Sequence, residues 1–226
     1  MNLHQQIHTQ LLALLNRTHP GEAGLNDALR LLAKYRSTLI QNTLVQQCGA
    51  KVIDGPFAGM EFIEQSAEGY YAVGIKRLLP HARVLAYDIN PVAQEACKTL
   101  AARNGVDVEV GGLFSPPDFA RFDKNEKILV WCDIEGAERE FLDPELAPRL
   151  KEMDMVVEFH PTERGHTLSD VLSRFAGSHD IEIIQARGHN PMLPPFLQQL
   201  GHLDQLLAQW EWRSAPTPWA ILHTKV

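Results

Sequence analysis

Apolar residues recur at helical spacing through Leu3, Ile7, Leu11, Leu14 and Leu15, and again through Leu29, Leu32, Leu39 and Ile40. That period predicts two amphipathic helices, Leu3 to Leu15 and Leu25 to Leu44, parted by THPGEAG, whose Pro and Gly stop the first. After Gly49 the pattern changes. KVIDGPFAGMEFIEQ places the turn chemistry of DGPFAG between two short strand-like runs, which predicts a β-hairpin. From Ala82 strands and helices alternate: ARVLAYDI as a buried strand, PVAQEACKTLAARNG as a helix with Pro91 in its first turn and Gly105 past its end, then VDVEVGG as a strand. KILVWCDI, KEMDMVVEFH and IEIIQARG supply further strands, with helices expected at Pro144 to Lys151 and Thr167 to Phe175. In the tail, MLPPFLQQLGHLDQLLAQW predicts a helix and TPWAILHT a closing strand running antiparallel beside IEIIQ.

Strands that alternate with helices imply a parallel sheet with right-handed crossovers, and one antiparallel strand near the edge is a common mixed arrangement. The expected architecture is therefore α/β: a doubly wound, mostly parallel, Rossmann-like sheet with an antiparallel last strand, preceded by N-terminal helices and the hairpin. Residues 1–50 form the helical extension and 51–226 the sheet domain. A chain of 226 residues holds one such domain with a sizeable core.

The formal net charge of -7 and the absence of a Lys/Arg run argue against a nucleic-acid partner. No apolar stretch approaches the roughly 20 residues of a membrane helix, and the polar start MNLHQQIHTQ is unlike a signal peptide, so a cytoplasmic location is expected. Cys48, Cys97 and Cys132 are odd in number and lack CxxC spacing, which predicts reduced, buried thiols. His4 and His8 share a helix face, but on a short terminal helix they read as solvated.

Ligands of doubly wound sheets gather at the carboxyl ends of the strands, and the acidic residues here fall at those ends. Asp88 ends the strand VLAYD immediately before a helix. A carboxylate there can accept hydrogen bonds from both hydroxyls of a ribose; the competing role is a helix cap, with Asp88 or Asn90 holding the orphan N–H groups before Pro91. Asp133 and Glu135 stand at one later strand end, Glu158 and His160 at the next. Glu138 and Glu140, on the amphipathic stretch that follows, read as solvated. SAEGYYAVGIKRLLP is a Gly-containing turn opening a helix, where backbone can approach a ligand closely. Trp131, Trp210, Trp212 and Trp219 read as core, and His166, His179 and His189 as loop or capping residues.

Taken in order, AEGYYAVG, RVLAYDINP, CDIEGAE, VVEFHPT, RFAGSHDI and WEWRSAPTPWAIL, together with the DGPFAGM hairpin, resemble the class I S-adenosylmethionine-dependent methyltransferases, specifically their FkbM-like branch. The resemblance runs from about Val52 to Leu222. It implies an enzyme that methylates a hydroxyl of a small molecule or glycan. It also implies Glu68, Gly69 and Tyr70 in the cofactor loop, Asp88 with Ile89 at the ribose, Gly112 and Leu113 beside the adenine, and Asp133 and Glu135 at the transfer centre. One departure stands out. MEFIEQSAEG joins the hairpin to the glycine loop directly, where such enzymes carry a longer segment with a first strand, an acid and a further glycine. A non-catalytic module that keeps the fold for binding or oligomerisation through the N-terminal helices is the alternative this shortening supports. A dehydrogenase would also use a ribose-binding acid, but the chain lacks GxGxxG.

If a hydroxyl is the acceptor, its proton needs a base, and Asp133, Glu135 and His160 are the candidates. Carboxylates at neighbouring strand ends could alternatively hold Mg²⁺ and lower the pKa of the hydroxyl. The protein-only base is favoured over the cation.

Overall fold

A computed structural model describes residues 5, 6, 9, 10, 13, 22–48, 51–52, 57–62, 69–162, 165–166, 168–186, 193, 195–210, 213 and 215–225. The chain divides into two compact units, Met1–Ala50 with Gly188–Arg213, and Lys51–Arg187 with Ser214–Val226.

In the first unit the long helix α1 (Glu22–Cys48) packs against the short helix α7 (His202–Ala208), which also contacts α6 (Pro195–Gln198). The Arg36 guanidinium forks onto the Asp204 carboxylate, with Nε at 2.9 Å from Oδ1. The fully buried Ser37 hydroxyl donates to the Leu207 carbonyl at 2.9 Å. The single tail helix expected from the sequence is two helices. Gly201, with φ -60° and ψ 153°, is extended and starts a new helix, whose first carbonyl acceptor it supplies to Gln205. Of the expected terminal helix, residues 5, 6, 9, 10 and 13 are helical; the rest, with His4 and His8, lies outside the described residues.

The second unit is a Rossmann-like α/β fold. Its hairpin pairs β1 (Lys51–Val52) with β2 (Glu61–Phe62) antiparallel, as the DGPFAG turn predicts. Next come α2 (Tyr70–Leu78), β3 (Leu85–Tyr87), α3 (Pro91–Arg103), β4 (Glu109–Gly111), β5 (Leu129–Cys132) and α4 (Glu138–Phe141). They are followed by β6 (Asp154–Glu158), the small pair β7 (Pro161–Thr162) and β8 (Gly165–His166), α5 (Leu168–Phe175), β9 (His179–Ile184) and β10 (Trp219–Thr224). β3 and β4 pair in parallel. The other sheet has the order β5-β6-β10-β9: β5 and β6 are parallel, while β10 runs antiparallel to both its neighbours. The closing strand thus lies beside IEIIQ as expected, and also beside β6.

Alternation along β6 and β10 builds the main core. Met155, Val157, Ala220 and Leu222 are buried together with Val171 and Phe175 of α5 and with Leu150 and Phe119. Fully burying one such side chain contributes about 1.5–3 kcal/mol. A second cluster, Phe57, Met60, Val73, Leu100 and Ala101, joins the hairpin turn to α2 and α3. His179 is buried, and its ring links Ser178 Oγ (2.9 Å) to the Met153 carbonyl (2.9 Å), which ties the start of β9 to the residue preceding β6.

Where a helix was expected over Pro144 to Lys151, the chain instead makes α4 earlier and a 3₁₀ turn at Pro148–Glu152. Asp143 takes the intervening N–H groups into a turn, its carboxylate accepting from Glu145 and its carbonyl from Leu146 and Ala147. Pro148 then has no N–H to continue a helix. Cys97 and Cys132 are buried free thiols. Trp131, Trp210 and Trp219 are only partly buried, and Trp131 and Trp219 lie against Tyr71 of α2, with ring centroids 4.7 and 5.8 Å away. Trp212 and His189 lie outside the described residues.

Candidate functional site

Parallel pairing of β5 with β6 sets Cys132 opposite Val157, so the next residue on each strand, Asp133 and Glu158, emerges at the same carboxyl edge. Two residues further along that second chain segment comes His160. Their donor atoms all lie within 4.8 Å of one another. After Asp133 the backbone turns sharply through two left-handed residues, Glu135 (φ 55°) and Gly136 (φ 106°). Gly takes that region freely, which suits Gly136, whereas Glu135 adopts it against the preference of a residue with a side chain.

The turn swings Glu138 inward. Its side chain is completely buried, against the expectation of a solvated helix residue, and its Oε1 accepts from the Gly136 N–H at 3.0 Å and lies 2.8 Å from His160 Nδ1. Glu140 is exposed, as expected. The other imidazole nitrogen, Nε2, lies 3.7 Å from Asp133 Oδ1 and 3.5 Å from Glu135 Oε2. Asp133 is 28% exposed at its side chain and Glu135 85%, so the cluster grades from a buried floor to an open rim.

Electrostatics follow from that geometry. The hydrogen bond to Glu138 raises the His160 pKa, outweighing burial, with the charges of Glu135, Glu138 and Glu158 adding to the rise. Burial pushes Glu138 up, but its hydrogen bonds with His160, the Gly136 N–H and its own N–H together hold it below the ordinary carboxylate value. Beside them, burial and the carboxylates of Glu138 and Asp133 push the Cys132 thiol up, which makes it a poor nucleophile.

The residues expected to hold a nucleoside gather around α2, β3 and β4. Gly69 caps α2 in the left-handed region (φ 91°) and supplies no side-chain cap. A Cβ on Gly69 would meet Cys97 Sγ at 2.7 Å and Cys97 Cα at 2.9 Å: the loop rests directly on α3. Asp88 is close enough to that thiol for its charge, after burial, to raise the Cys97 pKa. The capping role at α3 belongs to Asn90, whose side chain accepts from Val92 N at 3.0 Å, while Asp88 Oδ1 accepts from Asn90 N at 2.7 Å. Ile89 and Leu113 are 76% and 77% exposed, which is unusual for apolar residues flanking strand ends, and Gly112 is exposed between them and β4. Tyr70 stands partly buried against Phe57, ring centroids 5.1 Å apart. Glu68 lies outside the described residues.

Thus Asp133, Glu135 and His160 come together in one cluster, and Asp88, Ile89, Gly112 and Leu113 share the ends of two paired strands. Sequence reasoning missed Glu138 as a site residue, and it placed Glu158 at the strand end without counting it among the site residues. Glu158 had a signal, an acid closing an apolar strand run.

The chain matches no protein-family model and no curated protein sequence. Among solved structures it is similar to cofactor-bound Rv0187 from MTB, with 14% identity over 96% of this chain and 89% of that one and a TM-score of 0.44. It is similar to the precorrin-6y C5,15-methyltransferase of Geobacter metallireducens GS-15, with 15% identity over 71% and 76% and a TM-score of 0.39. The N-terminal domain of human METTL16, in complex with SAH, aligns at 10% identity over 96% and 93% with a TM-score of 0.41.

Proposed function

We propose that the chain is an S-adenosylmethionine-dependent methyltransferase acting on a hydroxyl of a small molecule or glycan. The observation that carries this reading is the cluster of Asp133, Glu135 and His160 at adjacent strand ends, with Glu138 locking the imidazole from below. A sulfonium donor supplies an activated methyl group: the S–CH₃ bond breaks, the O–CH₃ bond forms, and the electron pair of the broken bond stays on sulfur. What remains for the protein is alignment, exclusion of water and a destination for the hydroxyl proton.

His160 suits that destination. Glu138 holds Nδ1 at 2.8 Å, which fixes the tautomer with Nε2 as the acceptor nitrogen and stabilises the ring once it takes the proton. Asp133 and Glu135 face that nitrogen and orient the incoming hydroxyl. On the donor side the residues fit a nucleoside. The exposed Asp88 carboxylate at the end of β3 can accept from ribose hydroxyls, Ile89 and Leu113 offer apolar surface to a base, and Gly69, with no side chain, lets a ligand approach the backbone closely.

Calorimetric titration with S-adenosylmethionine and S-adenosylhomocysteine tests the reading. Saturable binding is expected, and Asp88→Ala should weaken it about 10- to 100-fold, the size of one or two charge-assisted hydrogen bonds. A folded chain that binds neither nucleoside would instead favour the non-catalytic module that the short MEFIEQSAEG junction suggests.

A further inference from the structure

We infer that Asp133, Glu158 and His160 form a binding site for one divalent transition-metal ion, with Glu138 as the residue that orients the histidine. Three observations on different elements converge. The ligand atoms come from two strand ends and lie within 4.8 Å of one another; donors around a single ion at about 2.1–2.3 Å stand roughly 3–4.5 Å apart, so a small inward movement closes the shell. His160 is only 8% exposed, and its Nε2 is buried with no hydrogen-bond partner among the described residues. That nitrogen points at the carboxylates of Asp133 (3.7 Å) and Glu135 (3.5 Å). A buried ring nitrogen left without a hydrogen bond is costly unless something occupies it.

Glu138 supplies the third observation. A metal-ligating histidine almost always gives its other ring N–H to a carboxylate or carbonyl, which fixes the tautomer and raises the basicity of the ligating nitrogen. Glu138 Oε1 stands 2.8 Å from Nδ1 and is fixed in turn by the Gly136 N–H at 3.0 Å. The left-handed pair Glu135 and Gly136 turns this carboxylate under the ring. One imidazole with two carboxylates suits Mn²⁺, Fe²⁺ or Zn²⁺ better than Ca²⁺, which prefers an all-oxygen shell. Asp133 lies towards the open rim, so positions on that side remain for solvent or an acceptor.

Ion binding stands on the cluster alone. Its consequence for methyl transfer rests on the reading above: with Nε2 of His160 engaged as a ligand, Glu135, the exposed carboxylate of the cluster, would replace His160 as the group that receives the acceptor proton.

The test uses the full chain, stripped with EDTA and titrated with Mn²⁺ alone. Calorimetry should give one saturable site per chain, weakened at least tenfold in Asp133→Asn and in Glu158→Gln and 10- to 100-fold in Glu138→Gln. Pulsed EPR of the bound Mn²⁺ should show coupling to a single imidazole nitrogen, absent in His160→Ala. This readout needs only the wild-type protein if a variant fails to fold. No saturable Mn²⁺ binding, or bound Mn²⁺ without nitrogen coupling, would overturn the site. Mn²⁺ binding without nucleoside binding would uphold it while removing the methyltransferase reading, and the reverse pattern would do the opposite.

Discussion

Glu138→Ala is expected to destabilise the fold by about 3 kcal/mol near pH 6, the lower end for breaking a buried ion pair. Two losses contribute. The Gly136 N–H loses its acceptor at 3.0 Å, and His160 loses the partner that raises its pKa. The imidazole can shed its proton to escape a buried unpaired charge, and this keeps the cost from rising further. The pH dependence identifies the pair. His160 has a raised folded pKa, so its contribution is full below the ordinary value of 6.5 and is lost as pH rises through the folded value. Glu138 has a lowered folded pKa, so its contribution is full above the ordinary value of 4.5 and is lost as pH falls through the folded value. The difference in unfolding free energy between wild type and Glu138→Gln should therefore be largest between those two ordinary values and decline on both sides. Urea denaturation at a series of pH values measures it. A difference that stays flat with pH would mean the two groups are not charged together in the folded protein.

That pair also shows where sequence reading stops. The ends of β5 and β6 were legible because apolar runs closing in Asp133 and in Glu158 have one reading on a parallel sheet: carboxylates at its carboxyl edge. The antiparallel place of β10 beside β9 was legible from a short apolar and aromatic run after the last helices, which closes a mixed sheet near its edge, while its pairing with β6 was not. Glu138 was not. An acid in the first turn of a helix satisfies the helix dipole from solvent as readily as from inside, and only the two left-handed residues before it decide which way it faces. Glu135 is the one residue other than glycine with positive φ among the described residues, and a glutamate gives no local sign that it will adopt that backbone. The helix expected over Pro144 to Lys151 failed through local competition, since Asp143 and Pro148 offer turn hydrogen bonds and a missing donor that periodicity ignores. At Asp88 both readings rested on the same DINP run. The structure gives the cap to Asn90, and the Asp88 carboxylate holds the backbone that presents that cap.

Gly69→Ala is expected to cost roughly 2–5 kcal/mol and to abolish nucleoside binding. Two penalties add. The φ of 91° lies where an L side chain is strained, about 1–2 kcal/mol, and the new Cβ would stand 2.7 Å from Cys97 Sγ and 2.9 Å from Cys97 Cα, an overpacking that typically costs about 1–3 kcal/mol. Gly105 separates the two, because it also has positive φ (62°) but a Cβ there meets nothing within 4 Å. Gly105→Ala should therefore show the backbone penalty alone. Removing the sulfur with Cys97→Ala in the Gly69→Ala background should recover only part of the loss, since the overlap with the main chain of residue 97 stays. The functional effect follows from the same crowding: α2 can relieve it only by moving away from α3, which carries Gly69 and the first turn of α2 away from Asp88. Denaturation curves for the three variants, with calorimetry for S-adenosylhomocysteine, measure both effects. A Gly69→Ala protein no less stable than Gly105→Ala would show that the loop does not rest on Cys97. A protein destabilised as expected that still binds the nucleoside normally would remove the start of α2 from the donor site.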